Sequence, residues 1–381
     1  VSMGGVVDQM ENVSKSDNSE NRKLVKKNDF VINSRSDRKG SSGISPRDGS
    51  VSLINIVLKP KNINPKYSEY LFKSYYFKEE FFRNGKGIHF DLWSTRYELM
   101  KQIFIPYPKT EEQNKIVGFL DKKTTHIDEL IKKIEQKIEL FKEQKNSLIN
   151  EVVTKGLNLK VETKNSGIKW IGEIPSGWSK KKMKHIVNIF GRIGYRGYTT
   201  EDIVDEGDGV ITISPSNIFE DKFSTDNSTY LSWEKYHESP EIQIFTNDII
   251  LVKTGSTIGK TSIIPENVPE MTINPQLIVL KNIKIYPKYL YYQTVCKFIK
   301  ESFDVEQTGS STPTISQEKV KTFPILEPPI SEQQQIVEFL DEQTELIDKN
   351  ISIEERRIEL LKEYKQSLIS EVVTGKKRVV G

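Results

Sequence analysis

The chain has 381 residues, more than a single hydrophobic core usually organises, so two or more domains are expected. A hydrophobic fraction of 36% and a charged fraction of 29% suit a protein that spends many residues on long solvated helices, and 9% aromatic content is too rich for a disordered polymer. The net charge of +3 draws in no nucleic acid by itself, so such a partner would have to meet local clusters of Lys and Arg.

Cys296 is the single cysteine, which excludes an intrachain disulfide and a cysteine-rich metal site; its apolar, aromatic surroundings mark it as a core residue. Neither a run of about 18 apolar residues nor a basic start followed by an apolar stretch occurs, so no membrane association is expected and the compartment is expected to be the cytoplasm.

Residues 1–107 read as a first globular domain. The Ser, Asn and Asp bias of residues 8–45 would alone suggest a disordered tail. However, the runs NDFVINSR at 28–35, INIVLKP at 54–60 and NPKYSEYLFKSYYF at 64–77 follow the order strand, strand, helix, and that order returns later in the chain.

Residues 108–157 form the first long element. Pro108 blocks backward extension, Thr110 can cap, and Gln113 stands three positions later in capping-box register. The apolar positions Ile127, Leu130, Ile134, Ile138, Phe141, Leu148 and Val152 make one narrow helical stripe, and Gly156 supplies a left-handed stop. Residues 158–174 read as a linker.

Residues 175–326 read as a second globular domain with the short β-rich runs VITIS at 210–214, NDIILVKT at 247–254 and LIVLKN at 277–282, then the helical YPKYLYYQTVCKFI. Residues 327–375 repeat the long helix: EEQNKIVGFLD at 111–121 returns as SEQQQIVEFLD at 331–341, and LFKEQKNSLINEVVT at 140–154 as LLKEYKQSLISEVVT at 360–374, each 220 positions on. Pro328 and Pro329 precede it, Ser331 and Gln334 stand in capping-box register, and Ile347, Ile351, Ile358, Leu361, Leu368 and Val372 form its stripe before Gly375. Residues 376–381 are a basic tail. Each helix is expected to span about 44 residues, roughly 65 Å at 1.5 Å per residue. Since Lys and Glu crowd the other faces, each stripe needs a partner, and the other copy is the nearest; periodicity alone leaves the direction open. The fold class is therefore α+β, two globular domains of mixed sheet and helix with two long helices.

The copies of the domain differ in their loops, which points to equivalent scaffolds reading different things. Reading DNA calls for forked cations and donors at base edges, and for Lys, Arg, hydroxyls and amides at phosphates. In the second domain GRIGYRGYTT at 191–200 offers Arg192, Tyr195, Arg196 and Tyr198, TGSTIGKT with the residue before it offers Lys253, Ser256, Thr257 and Lys260, and TGSSTPTIS offers Ser310, Ser311 and Thr312. The corresponding loops of the first domain carry Arg35, Arg38, Lys39, Ser41, Lys86 and His89. TGSTIGKT almost spells a phosphate-binding P-loop, but only three residues separate Gly255 from Gly259 where four are required. His89, His126, His185 and His237 lie without metal spacing. Neither INPQ at 273 nor EPPI at 327 supplies the tetrapeptide of Asn or Asp, two prolines and an aromatic that adenine methyl transfer calls for, so no enzyme activity is expected.

The duplicated helix, alternating with WIGEIPSGW at 170–178 and NDIILVKTGSTIGKT, resembles the specificity subunit of type I restriction-modification systems over nearly the whole chain. The resemblance implies target-recognition domains that each read one half of a split double-stranded DNA sequence. It also implies an antiparallel coiled coil that sets their spacing and docks the modification (methyltransferase) subunits, alongside a restriction (translocase and nuclease) subunit. S-adenosylmethionine, ATP and Mg2+ would then belong to those partners, with no cofactor in this chain. One departure is that nothing like Ile174–Trp178 and Lys180–Lys182 precedes Val1, so the first domain is expected to be truncated at its N-terminal side, without opening strands and first loop.

Overall fold

The computed structural model describes residues 5–6, 21–35, 39–87, 93–168, 170–192, 194, 197–219, 222–226, 228–308 and 312–379. The chain divides into two compact units, Val1–Ile138 with Ser352–Gly381, and Glu139–Ile351. The division falls inside both long helices instead of at 107/108 and 326/327, because an amphipathic helix has no core of its own and belongs with whatever buries its stripe.

In the first unit β1 (Arg22–Val25), β2 (Phe30–Asn33), β3 (Ser42–Ile44), β4 (Gly49–Ser52) and β5 (Asn55–Leu58) precede α1 (Pro65–Lys73), α2 (Tyr75–Arg83) and α3 (Tyr97–Met100). β1 pairs with β4, and β3-β2-β5 form an antiparallel sheet. Strand alternation puts Phe30, Ile32 and Ile56 on one face, where they meet Phe77, Phe81 and Met100. α4 follows as Thr110–Lys155.

The second unit opens with a hairpin of β6 (Thr163–Asn165) and β7 (Glu173–Pro175), so the stretch read as a linker is partly ordered in a ladder. Then come β8 (Ser179–Lys182), α5 (Met183–Ile186), β9 (Asn188–Phe190), β10 (Ile203–Val204), β11 (Gly209–Ile213), β12 (Ile218–Phe219), β13 (Lys222–Phe223), β14 (Thr229–Ser232) and α6 (Trp233–His237). β15 (Gln243–Ile244), β16 (Ile249–Val252), β17 (Thr261–Ile263), β18 (Met271–Ile273) and β19 (Leu277–Lys281) lead into α7 (Pro287–Val295), α8 (Lys297–Glu306), α9 (Gln317–Val320), β20 (Pro324–Glu327) and α10 (Ile330–Val373). Two sheets dominate: β17-β16-β19-β9, and β10-β14-β11-β18-β15, which is mixed because β11 and β18 run parallel. β16 is buried at every position because it has cores on both faces. Ile250 and Val252 pack toward β11 and β18, while Ile249 and Leu251 join α7, α8, Val152 and Val153 of α4, and Ile336 and Leu340 of α10.

The duplicated Asn-Asp pair at the head of β2 and β16 is a turn. Asn28 and Asn247 take φ of +72° and +70°, and the carboxylates of Asp29 and Asp248 accept the N–H of Lys26 and Phe245.

The long helices pair antiparallel within each unit, since partners fall in number as residues rise: Asp128 with Lys365 at 2.6 Å and Lys137 with Glu354 at 2.7 Å in the first, Lys145 with Asp348 at 2.7 Å in the second. Helix stops follow at Gly156 and Gly375, with φ of +73° and +76°. Ile127, Ile134, Ile138, Val152, Ile347, Ile351, Ile358, Leu368 and Val372 are buried as expected. Leu130 and Leu148 are only half-buried, with the adjacent Ile131 and Ile149 inside, as the drift of a 3.6-residue helix against a seven-residue repeat requires. Glu354 sits buried where the other copy has Ile134, its carboxylate bonded to Lys137.

The capping-box expectation fails in an informative way. The residue equivalent to Gln113 is Gln333, not Gln334, and both are buried bridges: the side-chain oxygens accept from the N–H of Asn64 and Tyr286, and the amide nitrogens donate to the carbonyls of Pro108 and Pro328. Equivalent tyrosines complete the joint. Tyr70 and Tyr292 donate to Asp121 and Asp341 at 2.6 Å, while Tyr67 and Tyr289 reach the carbonyls of Val373 and Val153 at the far end of the opposite long helix. Burial pushes the Tyr67 hydroxyl up to about 12, so it donates throughout the working pH range.

Replacing Gln333 by Ala orphans a buried N–H and a carbonyl and should cost about 1–3 kcal/mol, measured as a lower urea midpoint at unchanged slope; Gln113→Ala should do the same. Burial pushes the Asp348 carboxyl up, but hydrogen bonds from Lys145 and Lys222 outweigh this and hold it below the usual carboxylate value. Its stabilisation is therefore complete above the unfolded value and lost as pH falls through the lowered folded one. Asp348→Asn should lower the melting temperature at neutral pH and have a vanishing effect in strong acid, as a thermal-unfolding series across pH would record.

Candidate DNA interface

In the second domain the loop after β16 and the segment before α9 come together. The N–H of Gly255 donates to Pro313, that of Ile315 to Lys253, and the hydroxyls of Thr254 and Thr314 lie 2.9 Å apart. Thr314 also bridges Thr308. The N–H of Lys253 donates to Gln276, whose turn with Asn274 joins the cluster. Lys253, Ser256, Thr257, Lys260 and Thr312 are thus gathered on one rim, with Ser256 and Thr312 exposed and the other three half-buried. Among the described residues the ammonium groups of Lys253 and Lys260 have no carboxylate partner, and burial pushes the Lys253 pKa down. A half-buried cation without a counterion is a ready seat for a phosphate oxygen.

The near P-loop cannot hold a nucleotide. The amides of Ile258, Gly259 and Lys260 are spent on the carbonyls of Gly255, Val252 and Thr257, and a strand, β17, follows where a helix N-terminus would be needed.

The first domain repeats this frame with other side chains. Arg35 and Lys86 both bridge Ser94, in the positions of Thr254, Thr308 and Thr314. Arg35 and Lys86 are exposed; Lys39 pairs with Glu79 at 2.8 Å and lies 4.5 Å from the Phe82 ring centre. Arg35 and Lys39, together with Lys78 and Trp93, line a recess. Burial, with the nearby charge of Lys39, pushes the Lys78 pKa down.

Three expected contacts are corrected. Arg192 is 5% exposed, its guanidinium donating to the Ile273 carbonyl and the Thr272 hydroxyl, so it ties the loop to β18. Tyr198 lies half-buried over that guanidinium and against Val210, Leu231 and Tyr236, leaving little ring free for a sugar. Ser41 is buried, and its carbonyl accepts the N–H of Asn33. Tyr195, Arg196, Ser310, Ser311, Arg38 and His89 lie outside the described residues. Gln276 and Lys78 were missed. The Asn-Pro-Gln turn directly after an apolar strand was a usable signal for the former, whereas Lys78 on α2 looks like any solvated helix lysine.

Among the described residues no group of His, Cys, Asp or Glu could hold a metal ion, and no helix is long and apolar enough to cross a membrane.

Residues 2–140 and 175–363 match the model of the type I restriction modification DNA specificity domain. The chain belongs to this family. It is 27% identical over 319 residues to the type I restriction enzyme MjaVIII specificity subunit of Methanocaldococcus jannaschii, covering 81% of this chain and 70% of that protein. It is 25% identical over 329 residues to the putative type I restriction enzyme MjaX specificity subunit of the same organism, covering 85% and 71%. In fold it is similar to a chain from a study of assembly and conformational transition in a type I R-M system, with a TM-score of 0.70, 14% identity and coverage of 93% and 84%. It is also similar to the HsdS subunit from Thermoanaerobacter tengcongensis, with a TM-score of 0.50, 15% identity and coverage of 94% and 84%. As a type I specificity subunit the chain is a non-catalytic subunit for sequence-specific DNA recognition, of the kind that acts with DNA and with methyltransferase and restriction subunits.

Within this specificity subunit, Lys253→Gln should weaken binding about equally for all duplex sequences and reduce the salt slope by about 1, the signature of one lost phosphate contact. Arg192→Ala should instead lower the stability of the second domain by roughly 1–3 kcal/mol, because it strips buried acceptors of their donor. Salt-dependent binding isotherms beside urea melts separate the two behaviours.

Proposed function

We propose that each domain reads one half of a split duplex target and that the long helices set the gap between the halves. The observation that carries this is the repeated three-stranded frame, presenting threonines at 254, 308 and 314 in one domain and Arg35, Lys86 and Ser94 at the same places in the other. Like scaffolds with unlike donors suit two different short sequences. The modification subunits dock on the helices. In support, Ile353 and Leu360 stand seven residues apart on α10 within the first unit and are each about half exposed, a spacing that suits an added helix, whereas the equivalent positions of α4 are Lys133 and Leu140. S-adenosylmethionine, ATP and Mg2+ belong to those partners and to a restriction subunit that translocates and cuts, and the assembly works in the cytoplasm.

The antiparallel pairing identifies the heptads that face each other as 127–133 and 360–366, since Asp128 meets Lys365. Deleting both shortens each helix by about 10 Å, equivalent to roughly three base pairs, with both stripes kept in phase. Sequencing the sites methylated by a reconstituted complex should find both half-sites unchanged and a shorter tolerated gap. An unchanged gap with altered bases would overturn the division into readers and spacer.

A further inference from the structure

The turn between β18 and β19 sets on the rim an amide side chain that the fold does not need. Val252 pairs with Leu277 at the end of the β16–β19 ladder, and the next bond outward runs from the Lys253 N–H to the carbonyl of Gln276. The first domain takes the same step: Asn33 pairs with Asn55, and the Ser34 N–H donates to the carbonyl of Ile54. Gln276 and Ile54 thus hold one place in two equivalent frames, and in the first the frame closes with no amide there.

The Gln276 side chain is nevertheless held. Its backbone N–H donates to Oδ1 of Asn274 at 2.9 Å, which turns Nδ2 of that residue toward the glutamine side chain, where it donates to Oε1 at 3.2 Å. Asn274 is only 8% exposed and forms a fixed support, whereas Gln276 is exposed. Nε2 lies against the loop after β16, 3.6 Å from where a Cβ on Gly255 would stand. Among the described residues Nε2 has no acceptor, and Oε1 keeps a lone pair free. An amide with a donor and an acceptor open side by side matches the N7 acceptor and N6 donor that adenine presents in the major groove. Orientation before binding spares rotamer entropy that a free glutamine would lose.

We propose that Gln276 is a specificity-determining residue of the second domain, reading one adenine through N7 and N6, with Asn274 as the residue that positions it. The proposal rests on the reading of this rim as a DNA interface and goes beyond it, because that reading names no base.

The test selects duplexes bound by the full chain from a random library, then replaces each adenine of the recovered target singly by 7-deazaadenine, which lacks the N7 acceptor. One replacement should weaken binding about tenfold. Gln276→Ile, which installs the residue that the first domain carries at this place, should bind the unmodified target about tenfold more weakly and lose the response to that replacement. Gln276→Glu should move the preference at the same pair from adenine to cytosine, whose N4 amino group a carboxylate accepts, and leave every other position unchanged. Thermal melts confirm that the variants are folded, and the base preference of Gln276→Glu decides the matter if Gln276→Ile does not fold. Lys253→Gln tells two failures apart. A reduced salt slope in that variant, with the adenine response kept in both Gln276 variants, would leave the rim on DNA and remove Gln276 as a reader. No change in any of the three would remove the rim itself from the interface. Either result overturns the proposal, as does a loss on Gln276→Glu that is equal for all sequences, the mark of a phosphate contact.

Discussion

The structure depends on how the carbonyls and amides at the ends of two long helices are satisfied. A helix leaves orphan groups at both termini, and a buried orphan costs as much as a lost hydrogen bond. Here the globular domains supply the partners. α1 and α7 each present a tyrosine to the last turn of one long helix, while a buried glutamine near the start of the other holds the backbone that leads into the same short helix. Within each unit the ends of the long helices are thereby tied to the globular domain, whose loops stand on that scaffold.

That frame explains why the loops can differ so much. Backbone bridges join the loop after β2 or β16 to the segment before α3 or α9, with threonine hydroxyls adding to them in the second domain. Side chains at 35, 86 and 94, or at 254, 308 and 314, can then differ while the backbone part of the joint is kept. Lys253 is held at some desolvation cost on this frame, and an uncompensated charge of that kind is tolerated where a ligand is to neutralise it.

Much of this was legible from the residues because duplication and helical period are local signals. The offset of 220, the proline entries, the stripes and the stops at Gly156 and Gly375 all stand in the sequence, and the mixed sheets follow from runs such as NDIILVKT. What was not legible depends on partners distant in sequence. Gln113 looks like a capping residue until Asn64 is placed beside it, and Arg192 looks like an exposed loop cation until β18 covers it. Glu354 breaks the apolar stripe and so resembled solvated helix surface; its burial is decided by Lys137 on the antiparallel partner. Ser41, in a run of small polar residues, gave no sign that the sheet would enclose it.

The first unit is assembled from both extremities of the chain, with Ser352–Gly381 completing a body begun by Val1–Ile138. The bond from Tyr67 to Val373 spans 306 positions of sequence. On the ribosome, the domain made first must wait until the domain made second and nearly all of its helix have been synthesised. At about 5–20 residues per second that wait is on the order of tens of seconds, during which the stripe of α4 and the underside of α1 have no permanent cover. A subunit built this way exposes sticky surface during its own biosynthesis, and the part of α10 from Ser352 onward is the clasp that ends the exposure.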